Sequence, residues 1–354
     1  MKPTNTLHES GQSLWLDNIT REMLDQGQIQ RYIDHYNVSG LTSNPSIFDA
    51  AIGSSNYNEA IAAHVAGGHS NEEIFFELAL ADLQRAADLF LPVHERTDGV
   101  DGWVSLEVSP LLAHDTAATI AAATSLHARA GRDNLFIKIP GTPEGLVAIE
   151  ECIFLGVPIN VTLLFDRDQY VAAAEAYQRG VERRVEAGLN PAVGSVASLF
   201  ISRWDVAVAS KVPSELKNEL GLAVGRETYR AYRDLMDSPR AQRLANAGGR
   251  TQRLLWASTK TKDPSASDIL YVHGLAAPFT INTMPDSTLE AFFDHGELDA
   301  PLAREGADGA LARFAEAGVD TRALAQQLQD EGAQSFSDAW AHLLSNIDQQ
   351  RARQ

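Results

Sequence analysis

Short runs of apolar residues, apolar on both faces, alternate with longer stretches of helical period along most of this chain. The runs Ser13–Asn18, Gly40–Asn44, Trp103–Val108, Asn134–Pro140, Pro158–Phe165, Val193–Phe200, Leu254–Ser258 and Leu270–Ala277 predict strands covered on both sides, as parallel strands are. Between them lie amphipathic patterns such as Asn71–Phe90 and Asp168–Ala187, where Tyr170, Val171, Ala174, Tyr177 and Val181 recur at helical spacing. Strand–helix alternation predicts an α/β fold, and this number of units favours a single (β/α)8 TIM-type barrel over an open sheet. After the last expected strand, Ser287–Gly296 and Asp308–Gln354 predict additional helices. In the second of these, Phe336, Trp340, Leu343, Leu344 and Ile347 make one apolar face. The expectation is therefore one domain over residues 1–354, with a barrel core at about 13–296 and C-terminal helices at about 297–354 packed on its exterior.

Composition narrows the partners. With 354 residues, 44% of them apolar, the chain has material for a large core, yet no run approaches the ~18 apolar residues of a membrane span. The first residues are polar and lack the layout of a signal peptide. Cys152 is the one cysteine, so no internal disulfide and no cysteine metal cluster can form, and a reducing, cytoplasmic setting is expected. A net charge of −18 repels nucleic acid and anionic lipid, so an anionic substrate would need a local cationic pocket.

Several chemistries lack their motifs. No Gly-x-Gly-x-x-Gly follows a strand, no Gly-x-x-x-x-Gly-Lys loop occurs, and the ten histidines show no local metal-ligand spacing. No cofactor and no metal are expected. The chemistry then falls to ordinary side chains at the C-terminal ends of the strands.

Lys138 stands out, because it lies inside the apolar run Leu135-Phe136-Ile137-Lys138-Ile139-Pro140. A lysine at such a position is rarely buried unless it is paired or functional. Burial disfavours an ammonium, and attack on a carbonyl requires a neutral amine. The alternative is a lysine whose stem is buried and whose head reaches a carboxylate at the rim. Other strand ends also carry isolated polar groups: Asp17, Asn44, Glu107, and the alternating pair Asn160 and Thr162, which share one strand face. In a barrel these converge on one pocket.

The needed cationic spot is present. Ser198-Leu199-Phe200-Ile201-Ser202-Arg203 follows the sixth expected strand, and Ser258-Thr259-Lys260-Thr261-Lys262 follows the seventh. Barrel enzymes often bind phosphate in loops after late strands, and a guanidinium, hydroxyls and an ammonium suit a phosphate monoester.

Together these segments resemble the transaldolase family, specifically its longer bacterial type. The resemblance is carried, in family order from residue 15 to about 296, by Trp15–Ile19, Gly40–Phe48, Ser105–Val108, Ile137–Thr142, Asn160–Phe165, Ser198–Arg203, Trp256–Thr259 and Asn282–Pro285. It implies a metal-independent transferase that moves a dihydroxyacetone unit through a lysine Schiff base. The implied donors are sedoheptulose 7-phosphate and fructose 6-phosphate. The implied acceptors are glyceraldehyde 3-phosphate and erythrose 4-phosphate, in the non-oxidative pentose phosphate pathway.

By position, Lys138 matches the Schiff-base lysine, with Asp17, Glu107 and Thr162 as the other catalytic groups. Asn44, Asn160, Ser198 and Phe200 match substrate-binding positions, and Arg203 and Ser258 match phosphate contacts. Shorter members of the family carry Arg at the place of Lys260. Longer relatives have a small residue there and a lysine at the place of Lys262, so either ammonium can meet the phosphate. The resemblance implies no cofactor, and a monomer or homodimer. A fructose 6-phosphate aldolase is the nearest rival, but that branch carries Tyr at the place of Glu107. A metal-dependent barrel aldolase and a non-catalytic sugar-phosphate-binding barrel are the more distant ones.

Overall fold

The computed structural model describes residues 2–298, 302 and 309–352. Positions 299–301, 303–308, 353 and 354 of the expected tail, and Met1, lie outside the described residues. Eight parallel strands close into a barrel in sequence order: β1 (Ser13–Leu16), β2 (Val38–Thr42), β3 (Val104–Glu107), β4 (Leu135–Pro140), β5 (Ile159–Leu164), β6 (Ser195–Phe200), β7 (Arg253–Ala257) and β8 (Ile281–Met284). Every strand but β7, whose Arg253 is half-buried, is buried along its whole length, which is why the sequence shows apolar runs rather than clean alternation. Helices connect the strands and surround them, as the alternating pattern predicts. Among the described residues, no helix is long and apolar enough to cross a membrane.

The expected eighth strand is the exception. Leu270–Gly274 forms a short helix, and β8 lies beyond it at Ile281–Met284. The apolar character of Leu270–Ala277 reflects burial of Tyr271, Val272, Leu275, Ala276 and Ala277 in the core without a strand. The true strand is harder to see because two of its four residues are polar. Asn282 accepts a hydrogen bond from Thr259 at 2.8 Å, and the Thr283 hydroxyl lies 2.7 Å from that of Thr42.

Aromatic rings lie across the N-terminal half of the barrel. Trp103 stacks on Phe136 with centroids 4.0 Å apart, and Trp15 stands 6.3 Å from Phe136 on the other side. Two glycines make this possible: a Cβ on Gly40 would sit 2.5 Å from the Trp15 indole, and one on Gly194 would sit 2.7 Å from Trp103. Asp101 anchors the same end, accepting from the Trp15 indole at 2.7 Å and from Ser39 at 2.8 Å. A second cavity, of about 500 Å³, lies at this end beneath the rings, lined by Trp103, Phe136, Ser195 and Arg253.

The tail helix, Thr321–Arg351, lies against the helices Pro45–Ile52, Asn58–Ala66 and Asn71–Arg96. Its face carrying Phe336, Trp340, Leu343 and Ile347 is buried there, with Trp340 edge-on to Phe75 at 4.8 Å. The helix also reaches the mouth of the barrel, where Phe336 lines the main cavity.

Candidate active site

Inward-facing positions on adjacent strands are brought level by the sheet register. Glu107 on β3 is paired with Lys138 on β4, Lys138 with Asn160 on β5, and Pro140 with Thr162. Three consecutive strands therefore deliver an acid, an amine and an amide at one height, with the Thr162 hydroxyl one step higher. The chain then turns away from the mouth: β4 runs into Gly141 and Thr142, whose hydroxyl caps the helix Pro143–Leu155 by accepting from Gly145 N at 3.0 Å.

Lys138 Nζ lies 3.2 Å from Glu107 Oε2, with each side chain 6% exposed, and donates to the carbonyl of Ser43 at 2.9 Å. Burial pushes the Glu107 carboxyl above its ordinary value; the Lys138 charge opposes that rise and Asp17 adds to it. Glu107 Oε2 has no aligned hydrogen-bond donor, and the buried Thr162 Oγ1 has no partner. Both therefore have hydrogen-bonding capacity to offer a bound hydroxyl or water.

Asp17 follows β1 and accepts from the Thr42 hydroxyl at 2.7 Å. Burial is again the largest influence on its carboxyl and raises it; the Thr42 hydrogen bond and Lys138 pull it back, and Asp286 pushes it further up. Asn44 caps the helix Pro45–Ile52, its Oδ1 accepting from Ile47 N at 3.1 Å, which leaves the amide nitrogen to face the cavity. Asn160 donates to the Ser105 hydroxyl at 3.1 Å and accepts from the Ser198 hydroxyl at 2.7 Å.

A cavity of about 680 Å³ opens at this end. Of the residues expected from sequence, Lys138, Asp17, Thr162, Asn44, Ser198, Phe200, Arg203, Ser258, Lys260 and Lys262 all line it. Glu107 and Asn160 do not; each lies one layer deeper, against a residue that does. The lining also includes Thr42, Thr283, Asn18 and Phe336, which sequence reading missed. Thr42 had a usable signal, since it shares strand parity with Asn44. Phe336 had none, because periodicity reports an apolar face but not what that face meets.

The rim is cationic on one side. The Arg203 guanidinium lies 5.1 Å from the Phe200 ring centroid, and burial lowers its pKa against the opposing pull of Glu331. Lys262 is held below the ordinary lysine value by burial first, then by the charges of Lys260 and Arg203. Ser258 adopts φ +55°, a left-handed conformation uncommon for serine, and its hydroxyl meets that of Ser202 at 2.9 Å. Arg203, Lys260 and Lys262 share one wall of the cavity with the Ser258 hydroxyl, a local cationic patch in an otherwise acidic protein.

The chain matches known proteins over nearly its whole length. The family model for transaldolase/fructose-6-phosphate aldolase matches residues 14–347. A transaldolase of Arthrobacter sp. is 42% identical over 98% of this chain and 96% of its own length. One from Kocuria rhizophila is 42% identical over 98% and 97%, and one from Thiobacillus denitrificans is 41% identical over 98% and 100%.

Proposed function

The chain belongs to the transaldolase/fructose-6-phosphate aldolase family, and from that premise we propose how its side chains divide the work. The activity is that of a transaldolase, a transferase that moves a dihydroxyacetone unit between sugar phosphates through a lysine Schiff base in the non-oxidative pentose phosphate pathway. The donor is sedoheptulose 7-phosphate or fructose 6-phosphate, and the acceptor is glyceraldehyde 3-phosphate or erythrose 4-phosphate.

In our reading Lys138 is the nucleophile. Passing its proton to Glu107 turns a buried ion pair into a neutral amine and a neutral acid, and the burial that raises Glu107 favours that transfer. The amine adds to the C2 carbonyl of the donor. Glu107, through a water held at Thr162 Oγ1, then protonates the carbinolamine oxygen, which leaves as water. Asp17 takes the proton of the C4 hydroxyl, the C3–C4 bond breaks, and its electron pair moves into the iminium to give an enamine. The aldose phosphate departs. Asn44, Asn160 and Ser198 hold the hydroxyls of the three-carbon fragment, which attacks the acceptor aldehyde before the steps reverse. Arg203 and Ser258, with Phe200 packed against the guanidinium, take the phosphate together with an ammonium from Lys260 or Lys262.

The observation that carries this reading is a buried amine at the floor of a cavity whose rim is cationic. Mass spectrometry with peptide mapping after fructose 6-phosphate and borohydride tests it: the adduct falls on the peptide containing Lys138, and an adduct elsewhere reassigns the nucleophile. Turnover that depends on an acceptor aldehyde separates transfer from simple aldol cleavage. The single buried thiol of Cys152 supports a reducing, cytoplasmic setting. A single domain spanning the whole chain, in a monomer or homodimer, completes the proposal.

A further inference from the structure

The geometry points to Gln329, on the tail helix, as a positioning residue for imine formation that acts by holding the turn after Thr162. Gln329 is 3% exposed, and its Nε2 donates to the carbonyls of Leu163 at 2.9 Å and Gly141 at 3.1 Å. Leu163 is the next-to-last residue of β5 and Gly141 the first after β4, the strands that present Thr162 and Lys138. Gly141 N donates in turn to the Thr162 carbonyl at 2.8 Å, so a ring of hydrogen bonds links the two strand ends through one side chain.

The turn needs that support. Leu163 sits at φ +58°, which a leucine adopts at a cost, and the pairing of β5 with β6 is interrupted between Val161 and Leu164. A bulge of this kind releases a carbonyl from the sheet ladder, and a buried carbonyl requires a donor from elsewhere. Gln329 supplies it. Gly332, one turn further on, allows the close approach: a Cβ there would stand 2.9 Å from Leu163 Cδ2 and 3.3 Å from Arg203 Nη1. The arrangement sets the backbone that carries the unpartnered Thr162 hydroxyl into the cavity that Lys138 also lines.

This inference rests on the reading of Lys138 as nucleophile. The test is a double-mutant cycle, read as the rate at which borohydride traps the fructose 6-phosphate adduct per folded enzyme. Gln329→Met keeps the length and removes both donors. It lowers that rate and kcat about tenfold, with KM for the phosphorylated donor unchanged within about twofold. In a Thr162→Val background the same substitution costs less than about twofold, because the hydroxyl it positions is gone. Equal losses in both backgrounds, or a lowered melting temperature with an unchanged trapping rate, overturn the inference. Should Gln329→Met fail to fold, Gly332→Val, which pushes the helix off this segment with Gln329 intact, is read by the trapping rate at saturating donor in the two Thr162 backgrounds, since its side chain also nears Arg203. Wild-type enzyme that gives no adduct at all would sink the Lys138 reading instead, so the two failures are distinguishable.

Discussion

Glu107 and Lys138 are lateral neighbours in the sheet, register partners on β3 and β4, with Oε2 and Nζ 3.2 Å apart and both side chains buried. The pairing is a property of the backbone as much as of the side chains, since neighbouring parallel strands in this register leave the two little freedom to separate. A lone buried ammonium is costly, and so is a lone buried carboxylate. Side by side, each lowers the cost of the other, and one proton can pass between them.

Replacing Lys138 with Met removes the amine and keeps the bulk of the stem. The expected outcome is complete loss of borohydride trapping and a fall in kcat/KM on the order of 10⁴-fold or more, measured in the coupled transfer assay. A trapped adduct on the variant would move the nucleophile to another residue.

Acid should silence the enzyme earlier than ordinary carboxylates would. Burial raises both Asp17 and Glu107 above the usual range of about 3.9–4.3. A base that must be ionised is lost as pH falls through its folded-state value, so the acid limb of kcat/KM lies above that range. An acid limb at or below it in the pH–rate profile would contradict the assignment.

The same rise has a consequence for stability. The folded state binds these protons more tightly than the unfolded chain, so both groups cost stability once pH exceeds the ordinary carboxylate range, and the cost disappears below it. Asp17→Asn is therefore expected to melt higher than wild type at pH 7, with the gain shrinking as pH falls toward ~4. It also retains imine formation while losing C3–C4 cleavage. A melting temperature lower at pH 7 would show that the Thr42 hydrogen bond outweighs the burial penalty.

At the rim, Arg203→Ala is expected to raise KM for fructose 6-phosphate roughly tenfold to a hundredfold, with a smaller effect on kcat, as for the loss of a charge-assisted hydrogen bond. Lys262→Ala should raise KM more than Lys260→Ala, because Lys262 lines a second hollow together with Arg203 and Ser258 that Lys260 does not reach. Steady-state kinetics on the three variants decide both points, and the reverse order would give Lys260 the phosphate.

Gly40→Ala probes the fold rather than the chemistry. The added Cβ would meet the Trp15 indole at 2.5 Å, so the ring must shift against Phe136 and Asp101. A loss of about 1–3 kcal/mol is expected in denaturant unfolding, and a neutral result would mean that the packed end of the barrel is softer than its burial indicates.

Much of this was legible in sequence, and the rest was hidden for definite reasons. Lys138 shows because an ammonium inside an apolar run contradicts its surroundings. Asn160 and Thr162 show because period-two spacing places them on one strand face. β8 does not show, since its Asn282 and Thr283 spend their polarity on Thr259 and Thr42, partners distant in the chain. Gln329 is invisible for the same reason: its carbonyl partners are as far as 188 residues away, and in sequence it is one polar residue on a helix rich in them.

The aromatic stack of Trp103, Phe136 and Trp15 has a last consequence, for the order of events. It makes the barrel a blind well, entered and left through one door. The first aldose must clear that door before the second can come in, so traffic is one-at-a-time by construction. Alternating arrivals and departures, which show up as parallel lines in double-reciprocal plots, then follow from the covalent bond at the floor, while the single door brings both sugars in by the same path.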